Sequence, residues 1–307
     1  MSDRPTVSVG MAVYNGEKYV EQAIQSILAQ TYTDLELIIS DNASTDRTPE
    51  ICQQYAAQDP RIRYSRNTTN IGGANNENLT FKLSRGKYFR WAAHDDVCAP
   101  TLIEKCVAAL EEHPEAVLCH TYIVEIDETG TPLKTNTRNN GKHPNPYVRF
   151  RTIASSQDFL EEIYGLMRSE VMGRTRLQLN YTASDRTLLS ELGLYGPFCQ
   201  IEEPLFYKRF HEGNVYMDWR TRMAWFDNAF QGRIVFPFWM QFFDYFVTVN
   251  RVPLNWYDKI RCYAYILGPW LIHHAKNMAK DLLVAGYMLL HSQNWRKERY
   301  ADSNNWS

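Results

Sequence analysis

Two adjacent carboxylates close the stretch Gly86–Asp96 (GKYFRWAAHDD), where Tyr88, Phe89, Trp91, Ala92 and Ala93 have the character of a buried strand that stops at His94-Asp95-Asp96. Oxygen donors at the C-terminal end of a strand in an open α/β sheet suit Mg²⁺ or Mn²⁺, and such ions in turn hold phosphates. The same residues equally suit a strand-to-turn junction whose aspartates cap a helix starting near Pro100-Thr101. The pair alone leaves both readings open. No GxGxxG follows the first strand and no GxxxxGK[ST] occurs, so dinucleotide oxidoreductase and P-loop ATPase chemistry both lose ground.

The elements that must carry these acids alternate regularly. Thr6–Tyr14 is an apolar run without helical period, a first buried strand, and Asn15-Gly16 turns the chain. Tyr19, Val20, Ala23, Ile24, Ile27 and Leu28 then form one face of an amphipathic helix. Strand Leu35–Ser40 follows, closed by Asp41, and Thr48-Pro49 opens a helix that Asp59-Pro60 ends. Strand Arg61–Ser65, helix Ala74–Leu83, strand Lys87–Ala93, helix Leu102–Glu112 and strand Ala116–Ile126 continue the pattern, with a hairpin turn at Glu128-Thr-Gly130. Repeated units of this kind predict an α/β fold, a mainly parallel sheet flanked by helices. Asp41 and Asp95 then end strands that are neighbours or near-neighbours, and can meet over one ligand.

Residues 134–152 have no period and are expected to form a mobile loop near a substrate. Ser156-Gln-Asp158 is expected to cap a helix through Phe159, Ile163, Leu166 and Met167. A helix at Arg186–Leu192 and a strand at Phe198–Phe210, ending at His211, complete this part.

The chain of 307 residues, 44% hydrophobic, can bury a large core. Its net charge of −2 provides no general attraction to nucleic acid. Cys52, Cys98, Cys106, Cys119, Cys199 and Cys262 lack metal-ligand spacing and are expected to be buried thiols in a reducing compartment. Met1–Thr6 lacks the apolar core of a secretion signal, and Gln241 and Asp244 interrupt the best apolar stretch, Ile234–Val249. A cytoplasmic protein is expected, with a possible peripheral place on the inner face of a membrane.

Thr6–Asp46, Asn70-Ile-Gly-Gly-Ala74 and Gly86–Asp96, in this order and at these intervals, resemble the nucleotide-binding half of a family 2 glycosyltransferase with the GT-A fold. The likeness is close over about the first 100 residues and looser to His211. It implies an inverting transfer from a nucleotide sugar, UDP-linked by expectation, assisted by Mn²⁺ or Mg²⁺. Val13, Tyr14 and Asn15 resemble the loop that packs on the base, with Glu17 close by. Asp41 resembles the acid that accepts from the uracil or ribose, against a plain turn-shaping role; Asn75, just past the Asn70–Ala74 motif, joins the donor-binding set. His94-Asp95-Asp96 resembles the DxD element, whose usual form is D-x-D-D; Ala93 stands in place of its first aspartate. Asp95 is then the implied metal ligand, Asp96 the contact to the donor sugar, and His94 a further donor-site residue. Asp185 resembles the catalytic base of an E-D pair whose glutamate is here Ser184, against a helix-capping role. His211 resembles a histidine that reaches back to the metal or diphosphate, against an ordinary surface position.

From Val215 the composition shifts, with Trp219, Trp225, Trp239, Trp256, Trp270, Trp295 and Trp306 in this part. Ile234–Val249, Tyr263–Ile272 and Leu282–Leu290 read as helices. The chain therefore divides into a donor-binding and catalytic domain, 1–214, and a helical C-terminal region, 215–307, which packs, dimerises or touches a membrane surface. The expected acceptor is a glycan or lipid-linked hydroxyl, in polysaccharide or glycoconjugate synthesis, and nucleic acid is no partner. The alternatives are a sugar nucleotidyltransferase, which releases pyrophosphate, and a non-catalytic nucleotide-sugar-binding protein.

Overall fold

The computed structural model describes residues 4–156, 159–211 and 234–290. Strands β1 (Val7–Val13), β2 (Leu35–Asp41), β3 (Ile62–Arg66) and β4 (Tyr88–Ala92) alternate with helices α1 (Val20–Leu28), α2 (Thr48–Gln58) and α3 (Gly73–Leu83). Every residue of β2 and β4 is buried, as expected of parallel strands covered on both faces. Helix α1 turns Val20, Ala23, Ile24 and Ile27 inward, and Pro49 opens α2 at a position where its missing N–H costs nothing.

After β4 come β5 (Val97–Cys98), α4 (Leu102–Glu112), β6 (Leu118–Ile126), β7 (Pro132–Asn136) and α5 (Pro146–Ser155). They are followed by β8 (Leu166–Arg168), α6 (Ser169–Met172), α7 (Ser184–Tyr195) and β9 (Phe198–Arg209). Among the described residues the sheet runs β3-β2-β1-β4-β8-β6-β9-β5, with β7 paired to β6. The β3-β2-β1-β4 half is parallel, and so is β6 with β9, while β8, β7 and β5 run antiparallel to their neighbours. The expected α/β sheet flanked by helices is present.

Two expectations fail locally. Residues 134–152 are not one loop: Lys134–Asn136 complete the hairpin with β6, and α5 starts at Pro146, where Asn145 Oδ1 accepts the Val148 N–H at 3.2 Å. Their polar composition hid an exposed edge strand and a side-chain cap. The helix expected over Phe159–Met167 is instead a 3₁₀ turn, Glu161–Tyr164, leading into β8. Leu166 and Met167 are fully buried between β4 and β6, and a side chain at Gly165 would meet the Cys119 carbonyl at 2.8 Å. Burial in the sheet outweighs the helical spacing there. The Gln157 and Asp158 part of the expected cap lies outside the described residues.

The C-terminal helices are α8 (Pro237–Arg251), which packs on α7, α9 (Trp256–Tyr265), which packs on α5, and α10 (Leu271–Leu290), which packs on α8 and is joined to α9 by a π-helical turn at Ile266–Trp270. Tyr245, Val249, Cys262 and Trp270 share one core with Phe150, Ala154 and Leu194, and Arg176 Nη1 pairs Asp244 at 2.7 Å. α10 buries His274, Met278 and Ala285 while Ile272, Leu283 and Leu290 face outward. No helix among the described residues is long and apolar enough to cross a membrane. All six cysteines are free thiols, five of them buried. Trp219, Trp225, Trp295, Trp306 and the boundary at 214–215 lie outside the described residues.

Candidate active site

The parallel strands deliver their loops to one edge. Val13 lies opposite Asp41, and Met11 opposite Ala92, so the chain segments after β1, β2 and β4 leave the sheet side by side. Asp41 stands two strands from the start of the His94-Asp95-Asp96 turn, on the order of 10 Å across the sheet.

Val13 is buried and Tyr14 is exposed beyond it. Asn15 donates its N–H to Ser44 Oγ (3.0 Å) and accepts the Thr45 N–H (2.8 Å). Glu17 accepts the Arg47 N–H and donates its own N–H to Asp46, both at 3.0 Å. These two residues stitch the loop after β1 to the loop after β2. Asp41 is fully buried: Oδ1 accepts the Ser44 N–H (2.8 Å), Oδ2 accepts from Tyr64 Oη–H (2.9 Å) and lies 3.2 Å from Arg66 Nε. The turn-shaping role is therefore realised, and a nucleoside group reaching Asp41 must compete with Tyr64 and Arg66. Among the described residues Asn75 bonds back to the Ile71 carbonyl (2.8 Å), whereas buried Asn76 joins Ser40 and Asn67.

His94 closes over the first loop, and only glycine at position 16 permits it, since a Cβ there would come within 2.5 Å of the imidazole. Asp95 Oδ2 lies 2.9 Å from His211 Nε2, which the end of β9 brings back across the sheet. Burial works to raise the Asp95 pKa, but the His211 hydrogen bond and the charges of His94 and His211 outweigh it and hold the carboxyl below its ordinary range. Asp96 behaves oppositely. Burial, then the charge of Asp95, push it well above its ordinary range, and its Oδ1 accepts the Arg209 N–H at 2.8 Å. The side chain expected to meet the donor sugar is thus an anchor for the end of β9. Arg209, fully buried, adds bonds to the Asp95, Asp127 and Glu128 carbonyls and to Gln22 Oε1.

Asp185 enters from the N-terminus of α7, where Oδ1 accepts the Arg186 N–H at 2.8 Å. Neither it nor Ser184 caps α7 by a side-chain bond: the position before the helix is Ala183 in a left-handed conformation, and Ser184 donates to Gln178 Oε1 (2.8 Å). The Arg186 charge reaches Tyr245, Tyr265 and His274, so its guanidinium is turned toward the C-terminal helices. Asp95, Asp96, Asp185 and Glu77 all act on Tyr164, whose hydroxyl burial, then those charges, push well above its ordinary range. Asp95 and Asp185 both lie within electrostatic reach of Tyr164, while Asp41 is turned into its own loop.

Sequence reasoning missed Glu77 and Tyr164. Glu77 is the one acid in Asn75–Asn78, a signal that composition does not separate from a solvated helix face; Tyr164 lay in a segment expected to be helical. Backbone strain marks the same region: among the described residues, the non-glycine residues with positive φ are Asn15, Ala43, Leu177 and Ala183, each beside a site loop.

No group of three His, Cys, Asp or Glu side chains among the described residues is placed to hold a metal. The pair Asp95–His211 offers one ionised oxygen donor and one nitrogen donor, which fits a cation that takes its remaining ligands from a diphosphate.

Comparison with known proteins gives a consistent result. A family model described as glycosyl transferase family 2 matches residues 8–170. An uncharacterized glycosyltransferase of Haemophilus influenzae is 30% identical over 218 residues, 69% of this chain and 67% of that protein. The putative glycosyltransferase EpsE of Bacillus subtilis is 40% identical over 131 residues, 42% of this chain, so that the match spans about half (47%) of its length. Among solved structures, Staphylococcus aureus TarS 1–349 in complex with UDP superposes with a TM-score of 0.64 at 17% identity, covering 87% of this chain and 72% of that one. A Pyrobaculum calidifontis mannosyltransferase in complex with GDP-Man and Mn²⁺ gives 0.53 at 17% identity, covering 95% and 89%. At such identities these likenesses speak to the fold, which is of the GT-A type.

Proposed function

Since the chain belongs to glycosyl transferase family 2, we propose that it moves a sugar from a nucleotide-sugar donor, a UDP-sugar, to a hydroxyl acceptor with inversion at the anomeric carbon. The observation that supports this reading is the Asp95–His211 pair at the C-terminal edge of the parallel strands, with Asp185 also within electrostatic reach of Tyr164. Donor binding falls to the loops after β1, β2 and β4, including Val13, Tyr14, Asn15, Glu17, Asn75 and His94. UDP and UDP-GlcNAc bound to TarS support the choice of nucleotide.

Asp95 and His211 would hold a divalent cation, which when bound offsets charge on the leaving diphosphate. Asp185 accepts the proton of the acceptor hydroxyl as that oxygen attacks the anomeric carbon; the bond from that carbon to the diphosphate oxygen breaks and a nucleoside diphosphate leaves. The proposed catalytic domain is 1–214, with a glycan or lipid-linked acceptor and a role in polysaccharide or glycoconjugate synthesis. For the C-terminal region we propose peripheral contact with an anionic membrane surface: Ile272, Leu283 and Leu290 face outward on α10 with Lys276 and Lys280 also exposed.

The test is sugar transfer and donor hydrolysis by the wild type, Asp95→Ala and Asp185→Asn, with the leaving group identified. Nucleoside diphosphate release that collapses in both variants is expected. Unchanged rates in both, or release of pyrophosphate, would overturn the assignment.

A further inference from the structure

Three thiols from three elements border one core. Cys106 lies on α4, Cys119 on β6 and Cys199 on β9. Cys119 and Cys199 stand directly opposite each other where β6 and β9 run parallel, in a regular register from Leu118 and Phe198 to Thr121 and Ile201. Neighbouring strands are about 4.8 Å apart, within the roughly 4.4–6.8 Å between Cα atoms that a disulfide spans, and opposed side chains leave the sheet on one face. The Cys199 sulfur already leans across the gap: it lies 3.5 Å from the carbonyl oxygen of Leu118, the residue before Cys119.

The two thiols differ in access. Cys119 is fully buried and Cys106 nearly so, whereas Cys199 is half-buried and is followed on β9 by the exposed Glu202 and Glu203. A reagent from solvent therefore meets Cys199 first. They differ in acidity as well. The Cys106 and Cys199 thiols, then burial, push the Cys119 thiol far above its ordinary range. The Cys119 thiol outweighs burial at Cys199 and holds that group below its ordinary range, with the Arg168 charge helping and the Glu115 charge opposing. An accessible, more acidic thiol beside a buried one suits an attacking cysteine with its resolving partner.

We propose that Cys199 and Cys119 form an oxidation site that takes a small-molecule disulfide, of which oxidised glutathione is an example, and closes into a disulfide fastening β6 to β9. The Cys199 thiolate attacks one sulfur of the reagent; the reagent's S–S bond breaks, one thiolate leaves, and a mixed disulfide remains on Cys199. Cys119 then gives its proton to solvent and attacks the Cys199 sulfur, expelling the second thiolate. The two cysteines give up two electrons and two protons, and the reagent is reduced to two thiols. The bond closes residues 119–199 into one covalent loop and limits the unfolded chain accordingly. The chemistry draws on no residue assigned to sugar transfer.

The experiment exposes the reduced full-length protein to oxidised glutathione, then counts free thiols after acid unfolding and maps the links by non-reducing peptide mass spectrometry. The wild type should lose two of its six thiols and give a Cys119–Cys199 peptide pair. Cys119→Ala should retain one glutathione on Cys199, Cys199→Ala should keep all its thiols, and Cys106→Ala should still form the link. The oxidised wild type should unfold at a higher urea concentration than the reduced protein, and dithiothreitol should reverse the shift. Six intact thiols, a Cys106–Cys119 link, or glutathione left on wild-type Cys199 would overturn the pairing, and the wild-type map decides this without any substitution. A lower urea midpoint on oxidation would overturn the fastening role.

Discussion

Replacing Asn78 with alanine should loosen the seam between α3 and α7 and slow the reaction without touching the donor. The substitution deletes two hydrogen bonds, at 2.8 and 3.0 Å, and leaves the N–H and C=O of Gln178, a residue 5% exposed, without their partner. Each lost bond is worth about 1 kcal/mol net, and each buried backbone group left unpaired adds to the penalty, so a loss of about 2–4 kcal/mol is expected. Urea denaturation measures it directly, as a lower midpoint at constant slope. Because Ser184 Oγ bonds to Gln178, slack there passes to Asp185. A displacement near 1 Å costs roughly a hundredfold, so kcat should fall by about tenfold to a hundredfold. UDP affinity should stay within about twofold, because the loops after β1, β2 and β4 are untouched. A variant with stability within about 0.5 kcal/mol and kcat within about twofold of wild type would refute the idea that this bridge places the base.

Three further outcomes are expected. His211→Ala should weaken Mn²⁺-dependent donor binding and leave metal-free binding unchanged, by paired calorimetric titrations; equal losses in both would remove His211 from the cation site. His120 and His274 are both lowered to about 4, chiefly by burial, so the unfolded chain binds their protons first. Their stabilisation, up to about 3 kcal/mol each, is full above about pH 6.5 and is lost as pH falls toward 4. Urea midpoints between pH 7 and pH 4 should show this, and His120→Asn should flatten the slope. Leu283→Asp should reduce sedimentation with anionic vesicles while leaving activity on a soluble acceptor intact; undiminished vesicle binding, or a dimer that the substitution breaks, would exclude the membrane reading.

The alternation of apolar runs and amphipathic stretches from Thr6 to Glu112 settled the parallel half of the sheet, because strands covered on both faces must be continuously apolar and helices must show one apolar side. It also placed Asp41 and Asp95 at the ends of strands, since a carboxylate after a buried run can go nowhere else. What each acid does there depended on neighbours far along the chain. Asp41 is occupied by Tyr64 and Arg66, Asp96 by the Arg209 N–H, and Asp95 is kept charged by His211. Local spacing also misjudged 134–152 and 159–167, where an edge strand, an asparagine cap and a short buried strand have no periodic signature. Local pattern is fixed by propensity and amphipathicity within a few residues. The charge state of a carboxyl such as Asp95 or Asp96 arises from burial and from contacts that only the packed chain brings together.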